Sequence, residues 1–357
     1  MEERFYRIPI VAIEKPIQEA TTLSFHIPEE YSTIFKFYAG QYLCFRFFVN
    51  EKEALRMYSL HNSPYNNELY QVTVKRQDKG LVSNYISEHL KVGDFIEISK
   101  PLGDFKIHVD SKAQKCYYLF AAGSGITPIY SMIKSILLME PLSQVFLLYG
   151  NRSLSDILFY EELMDWKSRF PDKFHITHTL SKRFLDFSQT PWDGKRGRID
   201  EEMLENFIRE NPSDIKNSEY FSCGPGEMNQ MIQKCLINRG VSSKFIHSEY
   251  FLAPEIIDEQ KEESLAKEAD VSARIGSVLY QLDLKIDETI LEGLKRIGAP
   301  APYFCQSGIC GTCKAHLKDG EVKMKSSMAL SADERKKRMI LTCQSQAISS
   351  KVKIEFK

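Results

Sequence analysis

Residues 116–128 read Cys-Tyr-Tyr-Leu-Phe-Ala-Ala-Gly-Ser-Gly-Ile-Thr-Pro. An apolar strand runs into a Gly-Ser-Gly turn and then into a helix. Pro128 is accepted in the first helical turn, where its missing N–H has no partner to lose. The glycines allow the tight turn, and the free amides of the helix N-terminus suit a pyrophosphate. The alternation continues downstream. Apolar strands at 145–150, 174–180 and 219–224 are interleaved with helical stretches Pro128–Met139, Phe159–Arg169, Glu201–Arg209 and Gly226–Arg239. This pattern predicts a doubly wound parallel sheet over residues 111–251. By itself a Gly-x-Gly is a common turn, and the longer Gly-x-Gly-x-x-Gly form is not present here.

Upstream the texture changes. From Phe5 to Asp110, short β-rich runs (45–49, 70–76, 95–99) alternate with turns at Asn66–Asn67, Lys91–Asp94 and Pro101–Asp104. Strands at this spacing predict an antiparallel barrel over residues 1–110, interrupted by one helix from Leu81 to Leu90. Downstream, residues 252–271 hold seven acids against two bases with few apolar positions, which reads as a solvated linker. Residues 272–357 then offer strands Val278–Ile286 and Lys351–Phe356 around a helix Thr289–Ile297, enough for a small α+β domain.

That last segment carries Cys305, Cys310, Cys313 and Cys343 in the order C-x4-C-x2-C and, much later, C. This is the plant-type ligand spacing of a [2Fe–2S] cluster, a one-electron carrier. Ser307, Gly308, Gly311 and Thr312 surround the closely spaced thiols, and glycines let backbone amides approach sulfur. A zinc site would want two separated cysteine pairs, and only one C-x2-C is present. The remaining Cys44, Cys116 and Cys235 read as small buried hydrophobes.

Composition excludes several classes. A length of 357 residues suggests two or three domains, and a net charge of −1 gives no reason to expect nucleic acid or an anionic membrane as partner. No secretory signal is read at the N-terminus, and no apolar run approaches the ~18–20 residues of a membrane span. A reduced cysteine set fits the cytoplasm. The eight histidines form no ligand cluster, and no Glu-x-x-His pairs for oxygen activation appear.

Three further motifs complete the set. Arg56-x-Tyr58-Ser59 ends a strand, where an Arg can pair with a pyrophosphate, a Tyr ring can lie on a flavin and a Ser can reach its reactive nitrogen. The plainer reading is an edge strand with a surface Arg and a core Tyr. Gly80-Leu81-Val82-Ser83 opens the barrel helix and forms an anion site. Cys223-Gly224-Pro225 ends a parallel strand, at the edge where such sheets bind ligands; it also reads as a buried Cys before a helix.

In this order, the motifs resemble the ferredoxin–NADP reductase superfamily fused to a C-terminal plant-type ferredoxin domain. Within it the resemblance is strongest to the reductase components that serve phenylacetyl-CoA epoxidases. It implies a flavin barrel, a nucleotide-binding α/β domain and an α+β (β-grasp) ferredoxin domain. It implies FAD held by Arg56, Tyr58 and Ser59, with its diphosphate on Gly80, Leu81, Val82 and Ser83. The turn Gly123, Ser124, Gly125, Thr127 and Pro128 would bind the dinucleotide. Cys223, Gly224, Pro225 and Glu249 would lie beside the nicotinamide, and Phe251 would cover the flavin. Ser59, Thr127, Cys223 and Glu249 are the expected catalytic set. Asn151-Arg152 and Ser181-Lys182 fall where the family recognises the adenosine end, and their cations favour NADPH over NADH. Lysine at 182, where the family more often has arginine, offers charge without a bidentate fork.

The expected activity is that of an NAD(P)H-dependent reductase passing electrons through FAD and [2Fe–2S] to a separate terminal oxygenase, most simply the phenylacetyl-CoA epoxidase of phenylacetate degradation. The alternatives are a reductase for a Rieske or steroid oxygenase or a desaturase, with FMN in place of FAD in some relatives, or a non-catalytic redox-sensing subunit. Unlike free plant-type ferredoxins, which are acidic, residues 272–357 hold 15 Lys/Arg against 9 Asp/Glu. The run Arg335-Lys336-Lys337-Arg338 reads as a solvated helix face or as a surface toward an acidic partner.

Overall fold

The computed structural model describes the chain except residues 1–4, 50–51, 67, 183–191, 215–216, 252–267, 305, 307, 309, 328, 331 and 357. It divides into two compact units, residues 1–251 and 252–357.

The first unit begins with an antiparallel barrel. Its strands are β1 (Tyr6–Glu14), β2 (Ala20–Phe25), β3 (Tyr42–Val49), β4 (Lys52–Ser59), β5 (Tyr70–Lys75) and β6 (Phe95–Ile98), with α1 (Leu81–His89) between the last two. The sheet order is β4-β3-β6-β1-β2-β5, and a bridge between Leu60 and Val72 joins its two ends. Period-two alternation turns Ile8, Leu43, Phe45, Val72 and Ile98 inward, where all are fully buried. The Thr22 and Thr73 hydroxyls pair at 2.7 Å across β2 and β5, so these buried polar atoms are satisfied.

The α/β half follows as β7 (Cys116–Ala122), α2 (Ile126–Met139), β8 (Gln144–Asn151), α3 (Tyr160–Arg169), β9 (Phe174–Leu180), β10 (Lys195–Arg196), α4 (Glu201–Glu210), β11 (Ser218–Cys223), α5 (Gly226–Asn238) and β12 (Ile246–Glu249). The order β10-β9-β8-β7-β11-β12 is parallel throughout. The chain steps from β7 to β8 on one side and later returns to β11 on the other, so the topological switch lies between β7 and β11. Every residue of α2 from Ile126 to Leu137 is buried. The cause is that this helix packs on the sheet with one face and on the barrel with the other, and Ala39, Phe105 and Ile107 share a core with Ile126, Ile129 and Met132.

The second unit comprises β13 (Glu268–Ile275), β14 (Val278–Lys285), α6 (Ile290–Arg296), β15 (Lys314–Asp319), β16 (Val322–Met324), α7 (Ala332–Lys336), β17 (Met339–Leu341), β18 (Ser345–Ala347) and β19 (Lys351–Phe356). Its main sheet runs β14-β13-β19-β15-β17, with β13 and β19 parallel and the other pairs antiparallel. Thr289 starts α6 through a reciprocal capping box with Glu292, and Ile290, Leu291 and Leu294 pack onto Leu282, Leu284 and Ile354.

Two expectations need correction. The acidic stretch reads as a linker as far as Val271, but β13 begins at Glu268. Ala269, Val271 and Ala273 point into the core while Glu268 and Asp270 point out, so charge count hid a period-two strand; residues 252–267 lie outside the described residues. Cys116 is half-exposed at the start of β7, whereas Cys44 and Cys235 are buried.

Candidate functional site

The carboxyl edge of the parallel sheet brings three sequence motifs together. Cys223 pairs in register with Ala121 of β7 on one side and with Glu249 of β12 on the other. A Cβ at Gly125 would fall within 2.6 Å of the Cys223 carbonyl carbon and closer still to its oxygen. One at Gly224 would stand 3.0 Å from the Ala122 Cβ. The two glycine turns therefore touch backbone to backbone at the switch point, an approach no larger residue allows. Gly123 takes a positive φ of 55°, its carbonyl accepts from the Tyr149 hydroxyl at 3.1 Å, and Thr127 Oγ1 donates to the Ser124 carbonyl at 3.0 Å. No side chain caps the start of α2. Its first amides suit an anion.

The polar groups at this edge are poorly satisfied by protein. Among the described residues, Glu249 Oε2 and Asn229 Oδ1 are buried without a hydrogen-bond partner. Asn229 Nδ2 donates to the Glu249 carbonyl at 2.8 Å, so α5 fixes the end of β12. Burial pushes the Glu249 carboxyl up to about 8. Burial also raises the Cys223 thiol, with the Glu249 charge adding to it, so the thiol stays protonated. Buried orphan acceptors of this kind fit the carboxamide of a nicotinamide ring. Phe251, two residues beyond Glu249, packs against the core shared by sheet and barrel.

On the barrel, Tyr58 stands edge-on to Phe45 at 5.3 Å, and burial raises its hydroxyl while nearby Arg56 opposes the shift. Arg56 is exposed and donates to the Leu55 carbonyl at 2.8 Å; Ser59 is buried. Beyond Ser59 the chain runs directly onto the α/β half. The Asn62 carbonyl accepts from Ser131 Oγ at 2.6 Å, and Ser63 Oγ meets Ser135 Oγ at 3.0 Å. Lys134 donates to Glu68 at 2.8 Å and lies 4.7 Å over the Tyr130 ring. Thus the strand carrying Arg56-x-Tyr58-Ser59 and the helix behind the Gly123–Gly125 turn are locked together. At α1, Gly80 is the N-cap with no side-chain cap; a Cβ there would clash with Ser83 Oγ, which accepts from Gln77 N at 3.1 Å. Leu81 is exposed, while Val82 and Ser83 are buried. The uncapped amides leave room for a diphosphate.

The adenosine-end candidates are drawn side by side as extensions of β8 and β9. Ser181 N donates to the Asn151 carbonyl and Lys182 N to the Arg152 carbonyl, both at 2.9 Å. A cavity of about 810 Å³ adjoins them, lined by Lys182 and Arg196, by Ser153 and Ser155, and by the acids Glu161 and Glu162. His178, with neither ring nitrogen partnered among the described residues, lies between Tyr149, Tyr160 and Trp192, and burial pushes it down to about 4. The sequence reading missed His178, Arg196 and Asn229. Only Asn229 left a signal, as a polar residue in the first turn of the helix after Cys-Gly-Pro.

In the second unit, Cys305 lies outside the described residues. Cys313 Sγ and Cys343 Sγ stand 3.2 Å apart, well beyond the ~2.05 Å of a disulfide. Cys310 is half-exposed in the same loop. Among the described residues no three His, Cys, Asp or Glu side chains form a metal-holding group; of the three described candidate ligands, the structure brings Cys313 and Cys343 together. Positive φ angles at Gln306, Gly308 and Gly311 curl the loop back on itself. Gln344 Nε2 donates to Cys343 Sγ at 3.7 Å and to the Gln306 carbonyl at 3.0 Å. Ser326 Oγ is buried without a partner among the described residues, and a Cβ at Gly308 would stand 3.0 Å from it. A donor to sulfur, an orphaned hydroxyl and a glycine-lined loop fit a thiolate-held cluster.

Barrel, switch-point turn and cysteine loop together define a flavin- and nucleotide-dependent oxidoreductase joined to an iron–sulfur module. The chain belongs to the family of reductases built from an oxidoreductase FAD-binding domain, matched at residues 7–107, an oxidoreductase NAD-binding domain, matched at 119–234, and a 2Fe-2S iron-sulfur cluster binding domain, matched at 277–347. It is 31% identical to one of the subunits of the 1,2-phenylacetyl-CoA epoxidase of Escherichia coli K12, over 99% of this chain and 98% of that protein. It is 27% identical to the ferredoxin reductase component of 3-ketosteroid-9-alpha-monooxygenase from Rhodococcus rhodochrous, over 98% and 96%. Phthalate dioxygenase reductase, a solved structure at 24% identity, shares the fold with a TM-score of 0.62 over 99% of this chain and 98% of its own. No helix among the described residues is long and apolar enough to cross a membrane.

Proposed function

We propose that this chain is an NADPH-dependent reductase that feeds electrons through FAD and [2Fe–2S] to a separate oxygenase, the phenylacetyl-CoA epoxidase of phenylacetate degradation. The observation that carries the reductase reading is the contact of the Gly123–Gly125 and Cys223–Gly224 turns at the switch point, beside a barrel strand locked to α2. When bound, FAD converts a two-electron donor into single electrons and the cluster carries them one at a time.

The protein's residues do the positioning. The amides at the start of α2 hold the pyrophosphate, and Cys223, Asn229 and Glu249 orient the nicotinamide, with Glu249 protonated up to about pH 8. Arg56 and the α1 amides would hold the flavin diphosphate, and Ser59 and Thr127 would lie toward the reacting rings. Phe251 would exclude water from the flavin. Cys305, Cys310, Cys313 and Cys343 hold the cluster, with Gln344 donating to sulfur. Lys182 and Arg196 on the cavity, with Arg152 tied to Lys182 through its backbone, support a 2′-phosphate, hence NADPH; Glu161 and Glu162 on the same cavity temper that preference. The named acceptor rests on a likeness to the epoxidase component that spans nearly all of both chains.

Stopped-flow bleaching of the flavin by NADPH and by NADH tests the donor; no bleaching by either sinks the reductase reading. Phenylacetyl-CoA-dependent NADPH oxidation with the purified epoxidase oxygenase tests the acceptor. Turnover with a steroid or Rieske oxygenase but not with the epoxidase would reassign it.

A further inference from the structure

The second unit gathers cations around its cysteine loop. Lys295, at the end of α6, donates to Gln306 Oε1 at 3.1 Å and lies 4.5 Å over the Tyr303 ring, so it stands on the loop itself. Lys325 N donates to the carbonyl of Gln344, whose amide reaches Cys343 Sγ. The segment after Lys325 is tied to the loop by Ala329 N donating to the Gly308 carbonyl at 3.1 Å, and it leads straight into α7. From α7, Arg335 returns a hydrogen bond to Ser327 Oγ at 3.3 Å, and Glu334 pairs with Lys314, the residue after Cys313. The basic run is therefore delivered to the cysteine loop by two separate links.

Lys314, Lys318, Arg296 and Lys353 of this unit each lie within 4.0 Å of a carboxylate. Among the described residues, exposed Lys295, Lys325, Arg335, Lys336 and Lys337 do not; Asp333 is the one exposed acid on α7 near them. Charge pairing alone does not set these cations apart, since exposed Arg274, Lys285, Arg338 and Lys351 also lack a carboxylate within 4.0 Å among the described residues; what sets them apart is their place at the cysteine loop. Unneutralised like charges held together raise the free energy of the isolated protein and are relieved by an opposing surface.

We propose that this cationic rim is the docking surface for the electron acceptor, and that the acceptor is a protein presenting an acidic patch around its own redox centre. The proposal rests on the reading of the chain as a reductase for a separate protein. It adds the sign of the contact and the residues that make it. Steered encounter at this rim brings the acceptor to the loop from which electrons leave, and it weakens with ionic strength.

The test uses the full-length holoenzyme, photoreduced so that it does not depend on nucleotide, and mixed in stopped flow with the soluble domain of cytochrome b5 (acidic haem face) or with cytochrome c (basic haem face). Cytochrome b5 reduction is expected to fall about tenfold between about 0.02 M and about 0.3 M salt. K295E/R335E/K336E is expected to slow cytochrome b5 at least about tenfold at low salt and to speed cytochrome c. The neutral K295Q/R335Q/K336Q is expected to fall between and serves where the charge swap fails to load its cluster. Salt-independent reduction of cytochrome b5, or variants that reduce it as fast as the native chain, would overturn the docking surface. Failure of NADPH to bleach the flavin would instead overturn the reductase reading and leave these rates standing.

Discussion

At the scale of the residue, Glu249 is a group whose environment departs far from its chemistry. In the unfolded chain it ionises near the ordinary 4.5, and in the fold only near 8. Between those values unfolding releases a proton, so the fold loses stability as pH rises through that window and levels off above it. E249Q removes this dependence. Its melting temperature relative to the native holoenzyme is expected to be higher at pH 8 than at pH 5, and an equal difference at both would refute the raised carboxyl. His61 has the opposite sign. Burial and the Lys134 charge push it down to about 3. It therefore contributes stability present above its ordinary value near 6.5 and lost as pH falls toward 3. Neither shift could be read from the sequence, because a Glu in a short strand and a His after a leucine carry no mark of burial.

At the scale of the element, the start of α2 depends on absence of bulk. G125A places a methyl against the Cys223 backbone, which is not a flexible side chain that can swing away. The turn must shift, and NADPH-driven flavin reduction is expected to fall about tenfold or more, equivalent to ~1.4 kcal/mol of lost transition-state stabilisation, with flavin content unchanged. Loss of flavin instead would show that the barrel depends on this turn. The same helix carries Lys134, almost wholly buried and paired to the less buried Glu68. K134M leaves that carboxylate without its partner and is expected to cost about 1–3 kcal/mol in denaturant unfolding. K134M/E68Q should recover part of it, since the orphaned charge is then removed. These element starts were legible in advance: Gly-Ser-Gly-Ile-Thr-Pro and Cys-Gly-Pro mark them by chemistry. Some strands, such as 116–122, 174–180 and 351–356, kept their expected bounds, and the other helix and strand ends shifted by up to three residues, as fraying ends do. The strand β13 was obscured because its outward acids outweighed its small inward alanines.

At the scale of the whole molecule, two units with separate cores imply separable activities. A chain ending at Phe251 is expected to keep its flavin and be bleached by NADPH at near the native rate, but to lose cytochrome b5 reduction. C343S in the full chain should do the same, with loss of the cluster's visible absorbance. If either variant still reduces the cytochrome at the native rate, electrons leave from the flavin and the cluster is not the exit.

The sequence by itself determined which chemistry each segment can support. Glycines, prolines and cysteines at fixed spacing are local constraints, so the barrel, parallel sheet and cysteine loop could each be read from a short window. Only the tertiary structure decided which of those windows meet. The backbone contact between the Gly125 and Cys223 turns joins residues about a hundred positions apart. The orphaned atoms of Asn229 and Glu249, and the delivery of Arg335 to the cysteine loop, are likewise products of packing. Burial and proximity are properties of the folded chain, set by long-range contacts that no local pattern encodes.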